Sequence, residues 1–142
     1  MARELQTAEN GQRGTVLLAE GDVLVRMPIA EYLRDCGYRV VEATTSEEAI
    51  RALGAARLDV SVVVSSIRLA GDGFGISSWI KRHRPNLDVI LTGTPKRAVD
   101  AATRLCNDDS VPARLAPQIL LRRIQQMLAS RKPPPREGRT AM

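Results

Sequence analysis

Few residues of this chain could carry covalent chemistry, and the first candidates are a pair of serines and one histidine. Ser65 and Ser66 follow an apolar stretch, and His83 is the only histidine. A serine can be a kinase target, or a nucleophile when a histidine removes its proton. However, the serines lack the G-x-S-x-G pattern of a hydrolytic nucleophile. His83 lies in the basic run Lys81–Arg84 before Pro85, which indicates a helix end where positive charge favours the dipole. We therefore predict no enzymatic activity.

The glycine-rich segment Ala70–Gly75 (AGDGFG) is a second candidate, because backbone N–H groups in such loops can bind phosphate. The segment lacks both the G-x-x-x-x-G-K-[ST] pattern and the spaced glycines of a dinucleotide-binding loop. We interpret it as a turn between a strand and a helix.

The two cysteines, Cys36 and Cys106, lie far apart in the chain. Their spacing matches neither a metal-ligand pattern nor a disulfide framework. We interpret them as separate thiols in the core or on a helix surface.

The net charge of +5 raises the question of nucleic-acid binding, but much of that charge lies in one segment. Residues 131–142 carry four basic side chains and one acidic side chain, which leaves only +2 for residues 1–130. The same segment contains three consecutive prolines, so we expect a disordered tail. Aromatic residues make up 3% of the chain, too few to stack many bases. Nucleic acid is therefore not the expected partner.

The length of 142 residues and the hydrophobic content of 44% suffice for one core. We expect a flexible N-terminus over residues 1–13, a folded domain over residues 14–130 and the tail over residues 131–142. The ends of the chain contain no apolar run of about 18 residues and no secretory signal pattern, so a soluble, cytoplasmic protein without membrane contact is expected.

Short apolar runs alternate with helical stripes between these ends, which is typical of a doubly wound α/β fold with a parallel sheet. Five strands are predicted, over residues 15–19, 39–43, 60–64, 88–92 and 110–113. The third is the most apolar and should be central. Five helices are predicted, beginning after Asp22, after Thr45, near Ile76, at Pro95 and at Pro117. The second and last begin with clear signals, because Thr45 and Glu48 fit a capping box and Pro117 suits a first turn.

The first helix is predicted to be capped by Asp22 and to bury Val25, Ile29, Tyr32, Leu33 and Cys36. Pro28 is acceptable within the first turns if this helix begins near Leu24 or Val25.

Functional sites of such sheets lie at the carboxyl ends of the strands. Four segments are predicted to meet there: Glu20–Asp22, Ser65–Ser66, Thr92–Gly93 and Ala113–Arg114. Any chemistry of the chain should involve these segments.

From Thr15 to Ala129 the chain resembles the receiver domain of two-component response regulators. The resemblance rests on TVLLAEGDVLVRMPIAEYLRDCGYRVVEA, SSIRLAGDGFG, DVILTG and PQILLRRIQQML. It implies a five-stranded, flavodoxin-like (βα)5 receiver fold and a role in phosphorelay signal transduction.

The family uses an acidic pair to hold Mg²⁺, an aspartate to accept a phosphoryl group, a Thr or Ser, and a lysine. The resemblance places Glu20 at the first acidic position, whereas Gly21 replaces the second, metal-binding carboxylate. Asp22 follows; it could be a displaced ligand, although capping the first helix is the simpler interpretation.

The other positions of the family's site are also altered. The phosphoacceptor position falls on Ser66, or on Ser65 if the alignment is counted back from Asp72. The lysine position falls on Ala113, and only Thr92 matches its expected residue type. A serine hydroxyl cannot form an acyl phosphate, and the charges that neutralise the phosphoryl oxygens are missing.

We therefore expect a stand-alone, degenerate receiver that binds neither phosphate nor Mg²⁺ and has no other cofactor. Its expected partner is a histidine kinase, a phosphotransfer protein or another receiver, and a homodimer is possible. The expected contact surfaces are exposed apolar positions on the first helix and polar positions on the last: Val23, Leu24, Met27 and Ala30, and Arg122, Arg123 and Gln126.

Two alternatives remain open. One is a phosphorylatable receiver that uses Glu20, Asp22 and the unorthodox acceptor Asp72. The other is a basic nucleic-acid accessory protein that binds through the tail.

Overall fold

The computed structural model describes residues 13–71, 73–107 and 116–131. In chain order the elements are β1 (Thr15–Ala19), α1 (Val23–Asp35), β2 (Arg39–Ala43), α2 (Ser46–Gly54), a short 3-10 helix (Ala56–Leu58), β3 (Val62–Ser66), α3 (Gly73–His83), β4 (Asp88–Thr92), α4 (Pro95–Leu105) and α5 (Pro117–Ser130). The four strands of these described residues form one parallel sheet in the order β2-β1-β3-β4.

The two interior strands, β1 and β3, are buried at every position. This explains their apolar runs and confirms that the third strand is central. Val60, which the sequence assigned to β3, is buried but precedes the strand. The predicted fifth strand, residues 110–113, lies outside the described residues.

Helices cover both faces of the sheet, so the predicted doubly wound α/β class is confirmed. Alternate residues of β1 serve two cores: Val16 and Leu18 pack with α1, α4 and α5, whereas Leu17 and Ala19 pack with α2 and α3. In the part of the chain that the structure describes, no helix is long and apolar enough to cross a membrane.

Helix α1 begins directly after Asp22, as predicted. Asp22 caps it as expected, since its carboxylate accepts the N–H of Leu24 at 3.0 Å. Because the helix starts at Val23, Pro28 lies in its second turn, where a backbone N–H would normally donate within the helix. Proline has no N–H, so the carbonyl of Leu24 loses its usual helical donor.

The buried side of α1 is wider than the apolar pattern indicated. Val25, Ile29, Tyr32 and Leu33 are buried as predicted, but Ala30 is also fully buried. The expectation that Ala30 is exposed was wrong, because α1 packs against α4 and α5 as well as against the sheet.

Of the two hydrogen bonds expected for the capping box of α2, one is formed and the other is replaced. Thr45 accepts the N–H of Glu48 at 3.1 Å. The carboxylate of Glu48, however, accepts both the N–H and the hydroxyl of Thr44, at 2.7 and 2.8 Å. These two hydrogen bonds lower the pKa of Glu48.

The interpretation of the cysteines as separate thiols was wrong, because Cys36 and Cys106 form a disulfide. Cys36 follows the last residue of α1 and Cys106 follows the last residue of α4, and the packing of these helices brings their Cα atoms to 5.7 Å. The same two helix ends are also joined by the hydroxyl of Tyr38, which donates to the carbonyl of Leu105 at 2.7 Å.

Candidate functional site

A pocket of about 640 Å³ lies at the carboxyl edge of the sheet. The loops after β1, β3 and β4 line it, together with the end of α5. Its polar lining residues are Glu20, Asp22, Ser66, Arg68, Thr94 and Arg131. Segments distant in the chain are thus brought together where parallel α/β sheets carry their sites.

The two serines at the end of β3 have different environments. Ser66 lines the pocket, and its Oγ accepts the N–H of Arg68 at 3.1 Å. Ser65 is fully buried, and its hydroxyl donates to the carbonyl of Ser66 at 3.5 Å. Of the two candidates for the phosphoacceptor position, Ser66 lines the pocket and Ser65 does not.

Glu20 is the more buried of the two acidic residues in the pocket. Its Oε2 accepts the N–H of Asp22 at 2.9 Å, and its backbone carbonyl accepts from the guanidinium of Arg26, also at 2.9 Å. Burial raises the pKa of Glu20, although the hydrogen bond from Asp22 and the charges of Arg26 and Arg68 act in the opposite direction.

Asp22 both caps α1 and forms an ion pair with Arg131. The two Nη atoms of Arg131 meet the two carboxylate oxygens of Asp22 at 2.6 and 3.2 Å. This hydrogen bonding by Arg131 is the main reason why the pKa of Asp22 is lowered, and the N–H of Leu24 adds to it. Arg131 was assigned to the tail from the sequence, and nothing in the charge pattern indicated its partner.

The backbone at Gly21, between the two acidic residues, does not require a glycine. A Cβ built on it would meet the carbonyl oxygen of Thr44 at 3.4 Å, an ordinary contact distance. The structure therefore has room for a side chain at the position where the family carries a metal-binding carboxylate.

The end of β4 contributes to the pocket through residues that follow the predicted Thr92. Thr92 is buried, pairs in register with Ser66 and accepts the N–H of Ile67 at 2.7 Å through its carbonyl. Gly93 and Thr94 line the pocket. Thr94 also caps α4 by accepting the N–H of Arg97 at 3.2 Å. Its position before Pro95 was the available sequence signal for this cap.

Three predicted positions cannot be placed in this site. Ala113, Arg114 and the alternative acceptor Asp72 all lie outside the described residues. Arg68 and Arg131, by contrast, line the pocket although the sequence did not indicate them.

The residues of the pocket do not fit a Mg²⁺ ion. Magnesium requires hard oxygen ligands in octahedral geometry. The described lining offers two carboxylates, and both oxygens of Asp22 are engaged by Arg131. No cluster of three metal-ligating side chains occurs among residues 13–71, 73–107 and 116–131.

The parallel sheet, the helices on both faces and the pocket at the carboxyl edge define a flavodoxin-like α/β protein. The model of the response regulator receiver domain matches residues 16–125, and the chain therefore belongs to this family of two-component signalling domains. Among curated proteins none matches the chain.

Solved structures of receiver domains share the fold. A response regulator receiver domain protein from Clostridium thermocellum is 17% identical; the match covers 90% of this chain and 98% of that one, with a TM-score of 0.53. A CheY-like receiver domain protein from Methanospirillum hungatei is 18% identical over 81% of this chain and 93% of that one, with a TM-score of 0.51. The non-phosphorylated HemR receiver domain from Leptospira biflexa is 22% identical over 84% and 98%, with a TM-score of 0.50.

Proposed function

We propose that this receiver domain is a protein-interaction module of two-component signalling that does not accept phosphate by the Asp/Mg²⁺ mechanism. The observation that carries the proposal is the residue at the end of β3, where Ser66 lines the pocket. An acyl phosphate forms on a carboxylate and not on a hydroxyl. The ion pair of Asp22 with Arg131 supports the same conclusion, because it occupies a carboxylate that a metal would need.

The proposed contact surface is an apolar groove between α1 and α5. This groove has a volume of about 300 Å³, and α1 supplies Val23, Leu24, Met27 and Tyr32 while α5 supplies Leu120 and Met127. Val23 and Met27 are 43% and 50% exposed. Exposed apolar side chains in a concave surface favour protein binding.

The partner that suits this groove is a helical segment of a histidine kinase or a phosphotransfer protein. An amphipathic helix can place its apolar stripe in a groove between two helices. Exposed Glu31 and Asp35 on α1 and Arg123 on α5 lie at the same groove, so charges of both signs are available to orient the partner.

Phosphorylation is tested by incubating the chain with Mg²⁺ and acetyl phosphate and measuring its intact mass. We expect no added phosphoryl group. The matched positive control is the triple variant Gly21→Asp, Ser66→Asp, Ala113→Lys, which restores the residue types of the family's site. An adduct on the unmodified chain would overturn the proposal, and its mapping to Asp72 would support the alternative acceptor.

The groove is tested by measuring the affinity of candidate kinases and phosphotransfer proteins for two variants. Met27→Glu places a charge in the groove and should weaken binding at least about tenfold, because charged groups are expensive to desolvate in an apolar contact. Ile119→Glu is the matched control, since Ile119 is 47% exposed on α5 but does not line the groove. Equal affinities of the Met27→Glu variant and the unmodified chain would exclude this surface.

A further inference from the structure

The ion pair between Arg131 and Asp22 joins residues 109 positions apart. Arg131 directly follows the last residue of α5, and Asp22 directly precedes the first residue of α1. The pair has the bidentate geometry in which each carboxylate oxygen faces one nitrogen of the guanidinium, at 2.6 and 3.2 Å. Such pairs are the stronger and more directional form of charged hydrogen bond.

This geometry leaves little room for a second cation at Asp22. Its Oδ1 already accepts from both Leu24 and Arg131, and its Oδ2 accepts from Arg131. A Mg²⁺ ion binds carboxylate oxygens at about 2.1 Å. An ion at that distance would lie a few ångströms from the guanidinium, and the two positive charges would repel each other.

The other residues of the pocket do not replace Asp22 as a ligand for a divalent cation. The Oε2 of Glu20 already accepts the N–H of Asp22 at 2.9 Å. Arg68 also lines the pocket and adds a further positive charge. A divalent cation in this pocket would therefore meet the positive charges of Arg68 and Arg131. Of the two lining carboxylates, Asp22 is already paired with Arg131, which leaves Glu20.

We propose that Arg131 is the resident cation of this pocket: its guanidinium takes the place of a divalent ion at Asp22 and ties the end of α5 to the start of α1. The inference concerns the pocket alone and does not depend on the identity of a protein partner. The contact that holds the end of α5 is thus supplied by the chain itself.

The proposal has a reciprocal consequence. If Arg131 and a divalent cation compete for Asp22, removal of Arg131 must raise the affinity for the cation, and binding of the cation must loosen the end of α5.

Mn²⁺ is a suitable probe, because the electron paramagnetic resonance signal of the free ion reports binding directly. The proteins to compare are the unmodified chain, Arg131→Gln, Arg122→Gln and the double variant Asp22→Asn, Arg131→Gln. Arg122→Gln is the matched control, since it removes the same charge from an exposed position of α5. Circular dichroism establishes that each variant is folded.

We expect Arg131→Gln to bind Mn²⁺ about tenfold more tightly than the unmodified chain, within the 5- to 150-fold range typical of coupled sites. Arg122→Gln should match the unmodified chain, and the double variant should lose the gain. Equal affinities of Arg131→Gln and the unmodified chain, including no measurable binding by either, would overturn the proposal. An equal gain in Arg122→Gln would also overturn it, because the effect would then be one of net charge.

Hydrogen exchange of the last turn of α5 gives an independent readout. In the unmodified chain this turn should be better protected than in Arg131→Gln, with α2 and α3 unchanged. If these experiments show no competition between Arg131 and a divalent cation, the protein-interaction proposal still stands. That proposal is tested separately, by phosphorylation and by the variants in the groove.

Discussion

The two ends of α1 are both fastened to a neighbouring helix, but by opposite means. At its amino end, Asp22 is held by Arg131 of the α5 terminus in a partly exposed ion pair. At its carboxyl end, buried Cys36 is bonded to Cys106 after α4. The first contact is a non-covalent ion pair that depends on the charge of Asp22 and hence on pH, whereas the second changes only with redox conditions. The pocket therefore lies at the adjustable end of the helix.

Of the contacts at the two ends of α1, the disulfide is expected to have the largest effect on the free energy of unfolding. Replacing both cysteines by alanine should lower the free energy of unfolding by roughly 4 kcal/mol, because the unfolded chain gains the entropy of an open loop. The sequence separation of 70 residues places this loop among those for which the effect is large. Urea denaturation of both proteins measures it.

Addition of a reductant provides the control for this prediction. It should destabilise the unmodified chain by a similar amount and leave the double alanine variant unchanged. A chain whose stability is insensitive to reductant would show that the cysteines are not joined in solution.

A smaller effect at the same end is expected for Tyr38→Phe. This change removes the hydrogen bond to the carbonyl of Leu105 and keeps the ring, so it should cost about 1 kcal/mol. The measurement is the same urea denaturation. If the variant is as stable as the unmodified chain, this hydrogen bond makes no measurable contribution to the stability of the fold.

The smallest effect on stability belongs to the ion pair, and it should depend on pH. Arg131 lowers the pKa of folded Asp22, so the stabilisation is present above the pKa of an unfolded aspartate, about 3.9. It is lost as the pH falls through the lower pKa of the folded state. The difference in stability between the unmodified chain and Arg131→Gln should therefore be constant near neutral pH and vanish in acid.

An NMR titration of the Asp22 carboxyl carbon checks the cause of this pH dependence. In Arg131→Gln the pKa of Asp22 should rise towards its ordinary value. An unchanged pKa would mean that the pair is not formed in solution.

The fold could be predicted from the sequence because each element is encoded locally. The apolar runs of β1, β2 and β4 match the observed strands residue for residue. Asp22 was recognised as a cap because a carboxylate before an apolar helical stripe has a local hydrogen-bonding role. These signals need no knowledge of the tertiary structure.

The contacts between helix ends could not be predicted in this way. The disulfide depends on the side-by-side packing of α1 and α4, and Cys36 and Cys106 carry no mark of it in their spacing. Arg131 is one basic residue at the start of a basic segment, and its choice of Asp22 depends on where α5 ends in space. Ala30 was placed on the wrong side for the same reason, because small residues are buried wherever two neighbouring helices pack closely.

The disulfide also determines how the chain would respond to a stretching force. It closes a ring that contains β2, α2, β3, α3, β4 and α4, while β1, α1 and α5 lie outside. When the oxidised protein is pulled from its two ends, the disulfide would prevent the chain between the two cysteines from extending. With a sequence separation of 70 residues, the fully stretched oxidised protein would be shorter than the reduced one by roughly 250 Å, at 3.6 Å per residue. The central strand β3 would remain inside the ring after β1 had been pulled away from it.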